Sequence, residues 1–293
     1  MNQYNFITDY KENAAYRKSF SDLASKTFGI NFEAWYEKGY WDERYVCYSF
    51  IDGDKVISNV SANDMTLVID GEEKKAVQLA TVMTDPEYMG KGLAASLMNQ
   101  VLTDYEKKGY DFIYLSANES VLDFYPRFGF ERVDETLFIL PADRTPSTRR
   151  KLRKLDLEND EDRDIILRLS ANRRPASSLF GVKNDRHILL FYFLFVFGED
   201  IYYAAEDDMI IVFEIEDGTL HLYDVLSIHP FSLKDVLAHT TGEDVKETVF
   251  HFTPDFSDDR MKKTADSSSM MFVKFSGGIR LPKEFRFPDM SQT

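Results

Sequence analysis

The run Asp85-Pro-Glu-Tyr-Met-Gly-Lys-Gly-Leu-Ala-Ala-Ser-Leu-Met98 joins an apolar strand, a two-glycine turn and an amphipathic helix without a break. Ahead of it, Val77-Gln-Leu-Ala-Thr-Val-Met83 reads as a strand. Behind it, Leu93, Leu97, Val101 and Tyr105 recur at four-residue steps and predict a helix. A helix that begins this way turns unpaired N–H groups and the positive end of its dipole outward. Gly90 and Gly92 let a bulky anion approach that backbone closely, and Lys91 adds a positive charge. The chemistry to expect is the cradling of a phosphate or pyrophosphate without a metal. A Gly-x-Gly before a helix also occurs in ordinary loops, so the neighbouring residues must decide.

The next strand, Phe112-Ile-Tyr-Leu-Ser116, is followed by Asn118-Glu-Ser-Val-Leu-Asp-Phe-Tyr-Pro-Arg-Phe-Gly-Phe130. This order of strand, glycine turn, helix, strand, Asn, then Tyr and Gly-Phe resembles the GCN5-related N-acetyltransferases (GNAT), which bind acetyl-CoA. The resemblance is specific between Val77 and Arg132 and thinner before it. Gly90, Gly92 and Ala94 fall on the family's Arg/Gln-x-x-Gly-x-Gly/Ala pattern, but Met89 stands at its first position. That departure removes one polar side chain. Backbone amides do most of the binding in such a cradle, so weakened rather than abolished affinity is expected.

The resemblance implies acetyl-CoA as co-substrate and no metal. It places the pyrophosphate against Met89, Gly90, Lys91, Gly92, Leu93 and Ala94, and the pantetheine arm against the amides of Val82 and Thr84, where the strand splays. Asn118 would also hold the arm, although an Asn after a strand equally serves a turn. Tyr125, seven residues after Asn118 and four before Gly129, takes the place of the family's thiolate-protonating tyrosine. Phenol and thiol acidities are close enough for that exchange. The alternative is a core tyrosine packed among Phe124, Phe128 and Phe130. Trp35, Tyr36, Tyr40 and Trp41 stand where the family forms its acceptor pocket. Aromatic walls near Glu33, Glu37, Asp42 and Glu43 suit an organic cation, and a hydrophobic core is the competing reading. Spacing assigns no general base; Glu33, Glu43, Asp64 and the carboxylate of Thr293 are the candidates.

These residues need a scaffold. A helix is expected from Lys11 to Thr27, then an antiparallel meander of Tyr45 to Ile51, Lys55 to Met65 and Met65 to Ile69, with turns at Asp52-Gly53-Asp54 and Asp70-Gly71. Residues 141–153, with two prolines and a basic cluster, read as a linker. Beyond it come a helix from Leu157 to Ala171, an aromatic run from Ile188 to Phe197, and strands Met209 to Ile215 and Thr219 to Leu226 about Glu216-Asp217-Gly218. A helix from Leu233 to His239 and strands Lys246 to Phe252 and Met270 to Phe275 follow. This order approximates the later part of the first half, with Ser227-Ile-His-Pro-Phe-Ser232 where a glycine cradle would stand. The expected fold is therefore α/β (α+β): a GNAT unit with a central mixed, mostly antiparallel sheet flanked by helices over 1–140, and a smaller degenerate GNAT-like unit over 154–293. The alternative for the second unit is a sterol-carrier-like domain, as in the longer enhanced-intracellular-survival acetyltransferases.

With 293 residues, 44% hydrophobic and 14% aromatic, the chain can fill one large core or two ordinary ones. The apolar run from Ile188 to Gly198 is too short for a bilayer, and the polar start lacks the pattern of a signal peptide, so a cytoplasmic location is expected. Cys47 is a lone cysteine in an apolar stretch, and five scattered histidines show no zinc spacing. A net charge of −15 disfavours nucleic acid and anionic membranes as partners and suits a cationic amine. The absence of Gly-x-Ser-x-Gly and of a Gly-Lys-Ser/Thr loop argues against esterase and kinase chemistry. The expected function is transfer of acetyl from acetyl-CoA to a primary amine of a small molecule or peptide, with a non-catalytic acyl-CoA-binding module as the alternative.

Overall fold

The computed structural model describes residues 4–142, 149–276 and 278–292. The chain opens with β1 (Asn5–Thr8), α1 (Ala14–Phe28), α2 (Glu33–Glu37) and three long antiparallel strands, β2 (Tyr45–Asp52), β3 (Lys55–Ile69) and β4 (Glu72–Thr84). α1 starts where the Asn13 side chain accepts the Ala15 and Tyr16 amides and stops at Gly29, with φ 76°. The β3–β4 turn falls on Asp70-Gly71, whose φ angles of 49° and 79° suit the tight turn of a twisted hairpin. β3, expected in two pieces, is one strand of 15 residues. The polar pair Asn63-Asp64 does not break it, because both keep their register with Gln78 and Val77 of β4.

Next come α3 (Leu93–Lys107), β5 (Phe112–Ser116), β6 (Glu131–Arg132), β7 (Glu135–Pro141) and β8 (Arg153–Lys154). The later chain adds α4 (Asp160–Ala171), β9 (Phe180–Lys183), α5 (Arg186–Phe195), β10 (Ile201–Ala204), β11 (Met209–Glu216) and β12 (Thr219–Leu226). It ends with α6 (Leu233–Thr240), β13 (Glu247–Phe250), β14 (Lys262–Asp266) and β15 (Met271–Phe275). The β11–β12 turn sits on Asp217-Gly218, as its residue types predict. The aromatic run is α5, apolar on most sides because both halves pack against it. Residues 143–148 of the expected linker lie outside the described residues.

The strands form two sheets of like construction. One runs β1-β2-β3-β4-β5-β15-β6, with β9 paired to the end of β3, and the other runs β14-β7-β13-β12-β11-β10-β8. Each is mostly antiparallel with one parallel pair, β4/β5 or β12/β13, whose strands are joined through a helix, α3 or α6. The sheets exchange strands. β7, from early in the chain, lies beside β13, and β15, from late in the chain, lies beside β5. The expected cut at 140 thus falls inside a strand of the second sheet, and residues 154–293 contribute β9 and β15 to the first. An apolar run of five residues marks a strand but not the edge it joins, since pairing is decided by distant partners.

One face of the first sheet is covered by α3, with Leu97, Met98, Val101 and Tyr105 on Ile57, Val77, Leu79 and Leu115. On the other face Phe20, Trp35, Trp41, Tyr45 and Ala80 form a continuous core with Leu189 and Phe193 of α5 and Ile210, Val212 and Leu226 of the second sheet. The halves therefore share apolar interior. Among the described residues no helix is long and apolar enough to cross a membrane.

Candidate active site

β4 and β5 pair in parallel through Ala76 to Phe112, Val77 to Ile113 and Gln78 to Tyr114, and there the pairing stops. β4 nevertheless runs on to Thr84. The separation is accompanied by a bulge in β4: the register with β3 shifts between Ala80 and Met83, and Thr81 takes φ 43°. A non-glycine residue in that region is held by its surroundings. Here Asn59 Nδ2 donates to the Thr81 carbonyl at 2.9 Å, and the Tyr45 hydroxyl bonds the Thr81 side chain. Bulges re-aim a strand, and this one occurs as β4 leaves β5. Val82 and Thr84 lie on the diverging segment, both half-buried. Thr84 Oγ1 is 2.9 Å from Ser58 Oγ.

Asp85 ends the strand. Its carboxylate accepts the Glu87 amide at 3.1 Å and lies 3.1 and 3.3 Å from Lys55 and Lys26. Burial opposes its ionisation, but these three donors outweigh that and hold it below the usual carboxylate range. The chain then passes Met89, 61% exposed, and reaches Gly90 and Gly92 at φ 75° and 74°. A Cβ added at either glycine would meet nothing within 4 Å. Gly92 precedes α3 directly, and no side chain caps that helix. The amides of Gly90 through Ala95 have no acceptor among the described residues; Ser96, bonded to the Gly92 carbonyl at 3.0 Å, is the first of the helix to have one. Leu93 and Ala94 sit half-buried in that first turn. Lys91 Nζ lies 4.5 Å from the Tyr88 ring centroid and 3.1 Å from the Tyr4 hydroxyl, which keeps a cation beside the loop.

Tyr125 belongs to the α3-side core. Its ring meets Phe124, Phe130 and Phe272 at centroid distances of 5.3, 6.2 and 5.6 Å, so the exchanged strand β15 supplies one wall. The ring is buried, while the hydroxyl has no partner among the described residues and keeps contact with solvent. Burial pushes the phenol up to about 12, so it stays protonated at neutral pH. Asn118 is exposed, and its Oδ1 accepts the Ser120 amide and hydroxyl, both at 3.1 Å. In this structure it serves a turn.

The aromatic residues expected to line an acceptor pocket require a correction. Trp35, Tyr40 and Trp41 are core residues. Trp35 and Trp41 stack at 5.3 Å, and their indole N–H groups donate to the carbonyls of His187 and Tyr45, each at 2.9 Å. Satisfied in this way, both rings can be covered by α5. Only Tyr36 is half-exposed, with its hydroxyl on Glu12 at 2.8 Å and the Arg17 guanidinium 3.6 Å from its ring centroid. Of the candidate bases, Glu33 pairs with Arg17 at 3.2 Å, Asp64 accepts the Tyr110 hydroxyl at 2.6 Å, and Glu43 is exposed. Thr293 lies outside the described residues. Cys47 is buried, and burial pushes its thiol up to about 12, which makes it a core residue. No group of His, Cys, Asp and Glu among the described residues is arranged to hold a metal.

Sequence reasoning missed a row of buried polar side chains under the sheet: Ser49, Asn59, Ser61, Asn63 and Gln78. The signal was present as Asn59, Ser61 and Asn63 at alternate positions of an otherwise apolar strand, where period two puts them on one face.

Residues 11–133 match the acetyltransferase (GNAT) domain family. This chain carries a GNAT domain. N-alpha-acetyltransferase 50 from Danio rerio is 36% identical to it over 67 residues, which is 22% of this chain and 40% of that protein. The match thus spans less than half the length of that curated relative. Across the whole fold, the GNAT domain and the second unit together resemble two crystal structures. One is a probable N-acyltransferase of unknown function from Enterococcus faecalis V583, with TM-score 0.58, 15% identity, 94% of this chain and 73% of that chain covered. The other is Eis1 from Mycobacterium abscessus, with TM-score 0.58, 14% identity, 93% and 73% covered. At such identities the likeness is one of fold, and it extends past the GNAT domain through both sheets.

Proposed function

We propose that the protein transfers an acetyl group from acetyl-CoA to a primary amine of a small molecule or peptide. The observation that carries this reading is the run of unpaired amides from Gly90 to Ala95, reached directly from the strand edge that β5 leaves open. The clear space above Gly90 and Gly92 fits a pyrophosphate against those amides. Acetyl-CoA, when bound, supplies an activated thioester. Met89 to Ala94 would hold its pyrophosphate, the diverging segment of β4 at Val82 and Thr84 would bond the pantetheine arm, and Asn118 would reach the same arm with its remaining amide donors. Tyr125, protonated and in contact with solvent, would donate its proton to the departing sulfur. The net charge of −15 favours the approach of a cationic amine. The first unit holds the single cofactor site in this reading, and the second shapes the acceptor side.

The test is a panel of primary amines and peptide N-termini incubated with acetyl-CoA, following free thiol. Amine-dependent thiol release is expected. Tight acetyl-CoA binding with no transfer to any amine would make the protein a CoA-binding module, and no binding at all would refute both readings.

A further inference from the structure

Gly90 and Gly92 give the phosphate loop two unhindered hinges, so little in the backbone fixes Lys91 between them. Two tyrosines do so instead. Lys91 Nζ lies 4.5 Å from the centre of the Tyr88 ring and 5.5 Å from that of Tyr4, and it donates to the Tyr4 hydroxyl at 3.1 Å. The two rings meet edge to face at 5.6 Å. Tyr88 is anchored in turn, its hydroxyl donating at 2.9 Å to Asp52 at the end of β2. Tyr4 immediately precedes β1, the edge strand, which pairs with β2. Loop, β1 and β2 are thus tied together through one lysine, 87 positions along the chain from Tyr4.

The kind of partner matters as much as the tie. Lys55, 5.2 Å from the Tyr88 ring centroid, is neutralised by Asp85 and Glu87. Lys91 has no carboxylate at ion-pair distance among the described residues; an aromatic face and a hydroxyl hold it. Such groups attract an ammonium without cancelling its charge, so Lys91 stays able to act on an anion. The Tyr4 hydroxyl, which accepts from Lys91, keeps its own hydrogen, and no described residue accepts that hydrogen. All of this stands in a chain of net charge −15 whose exposed Met89 brings no polar side chain to the loop.

We propose that Tyr4 and Tyr88 are positioning residues of the phosphate loop, holding Lys91 charged and unpaired beside the amides of residues 90–95 to meet the phosphates of acetyl-CoA. The proposal rests on the acetyl-CoA reading, and it makes the edge strand β1 part of the binding apparatus. A loop held in place before the ligand arrives loses less freedom on binding, and a cation fixed beside it strengthens the attraction that Met89 does not supply. Tyr4 acts through Lys91, so its contribution should vanish once that lysine is gone. A tyrosine that merely packs against the α3-side core would count the same with or without the lysine.

The experiment titrates acetyl-CoA by calorimetry into the parent, Tyr4→Phe, Tyr88→Leu and Lys91→Met, and into each tyrosine variant combined with Lys91→Met. Tyr4→Phe keeps its ring on Tyr88 and removes only the hydroxyl, and Lys91→Met keeps an unbranched chain over the rings, so both should fold as the parent does. The dissociation constant should rise about tenfold in Lys91→Met and about threefold or more in each tyrosine variant, with no further rise when either is added to Lys91→Met. High salt should narrow the gap between the parent and Lys91→Met, because the lost interaction is between charges. Tyrosine variants that bind as tightly as the parent, or whose losses add in full to that of Lys91→Met, overturn the proposal and leave the acetyl-CoA reading standing. A parent that does not bind acetyl-CoA overturns both.

Discussion

Gly92→Ala separates the cradle from the fold. Gly92 holds φ 74°, where an L-residue costs about 1–2 kcal/mol, and no neighbouring atom lies within 4 Å of the added methyl group. The strain is therefore the whole expected cost to the unliganded protein. Gly71, in the β3–β4 turn at the opposite end of β4 from the loop, holds φ 79° and is equally open, so Gly71→Ala is a strain-matched control. Both variants should melt a few degrees below the parent, at about 2–4 °C per kcal/mol for chains approaching this size. Only Gly92→Ala should lose acetyl-CoA. Its methyl group holds the pyrophosphate away from the amides, and one hydrogen bond to a charged group is worth about 1.5–3 kcal/mol. At 1.4 kcal/mol per decade, calorimetry should read a dissociation constant raised about 10-fold to 150-fold. If the two variants bind acetyl-CoA within twofold of each other while melting alike, the amides of residues 90–95 are not the anion site.

Tyr125→Phe should lower kcat at least tenfold with acetyl-CoA affinity within twofold, since it deletes the donor and keeps the packed ring; a variant as fast as the parent would return Tyr125 to the core. Trp35→Ala should cost about 3–5 kcal/mol by urea denaturation and melt both halves in one transition, and a loss below 1 kcal/mol would contradict its place in the shared core. His187 should make the protein acid-sensitive. The unfolded imidazole takes a proton near 6.5 and the folded one near 4, so stability is lost as pH falls between those values, by about 3 kcal/mol in all. The stability difference between parent and His187→Gln, measured from pH 7 to 4.5, tests this; a constant difference refutes it. Titration should give one acetyl-CoA per chain, and two equivalent sites would overturn the assignment of the cofactor to the first unit.

What could be read from the chain followed the reach of its interactions. Glycine turns, Asn caps and apolar periods act within a few residues, and α3, β5, β12 and the Asp-Gly turns were legible from them. Positions set by partners far along the chain were not. Trp35 and Trp41 look like pocket walls until the carbonyl of His187 and the bulk of α5 are known to cover them. Met271–Phe275 is plainly a strand, but only Phe112–Ser116 explains its place. His221 and His251, thirty residues apart, come within 3.0 Å, and His251 in turn bonds Asp289, a cluster that spacing alone concealed. Thr81 carried no mark of the left-handed backbone that helps turn β4 away from β5.

The reciprocal strands bear on how substrates get in. Enzymes built from two lobes usually open by a hinge, and a hinge needs an interface of side chains that can slide or part. Here each sheet is completed by a strand from the other half of the sequence: five residue pairs join β15 to β5 in the first sheet, and four join β7 to β13 in the second. Swinging the sheets apart would pull on the short crossings between them, residues 133–134 from β6 to β7 and 267–270 from β14 to β15, and would open the apolar core they share. Access for an acceptor must then come from local yielding, in segments such as the turn after Asn118 or the region around Tyr36, while the lobes stay locked. A protein of this design would show loop exchange on substrate binding and almost no change in overall dimensions by solution scattering.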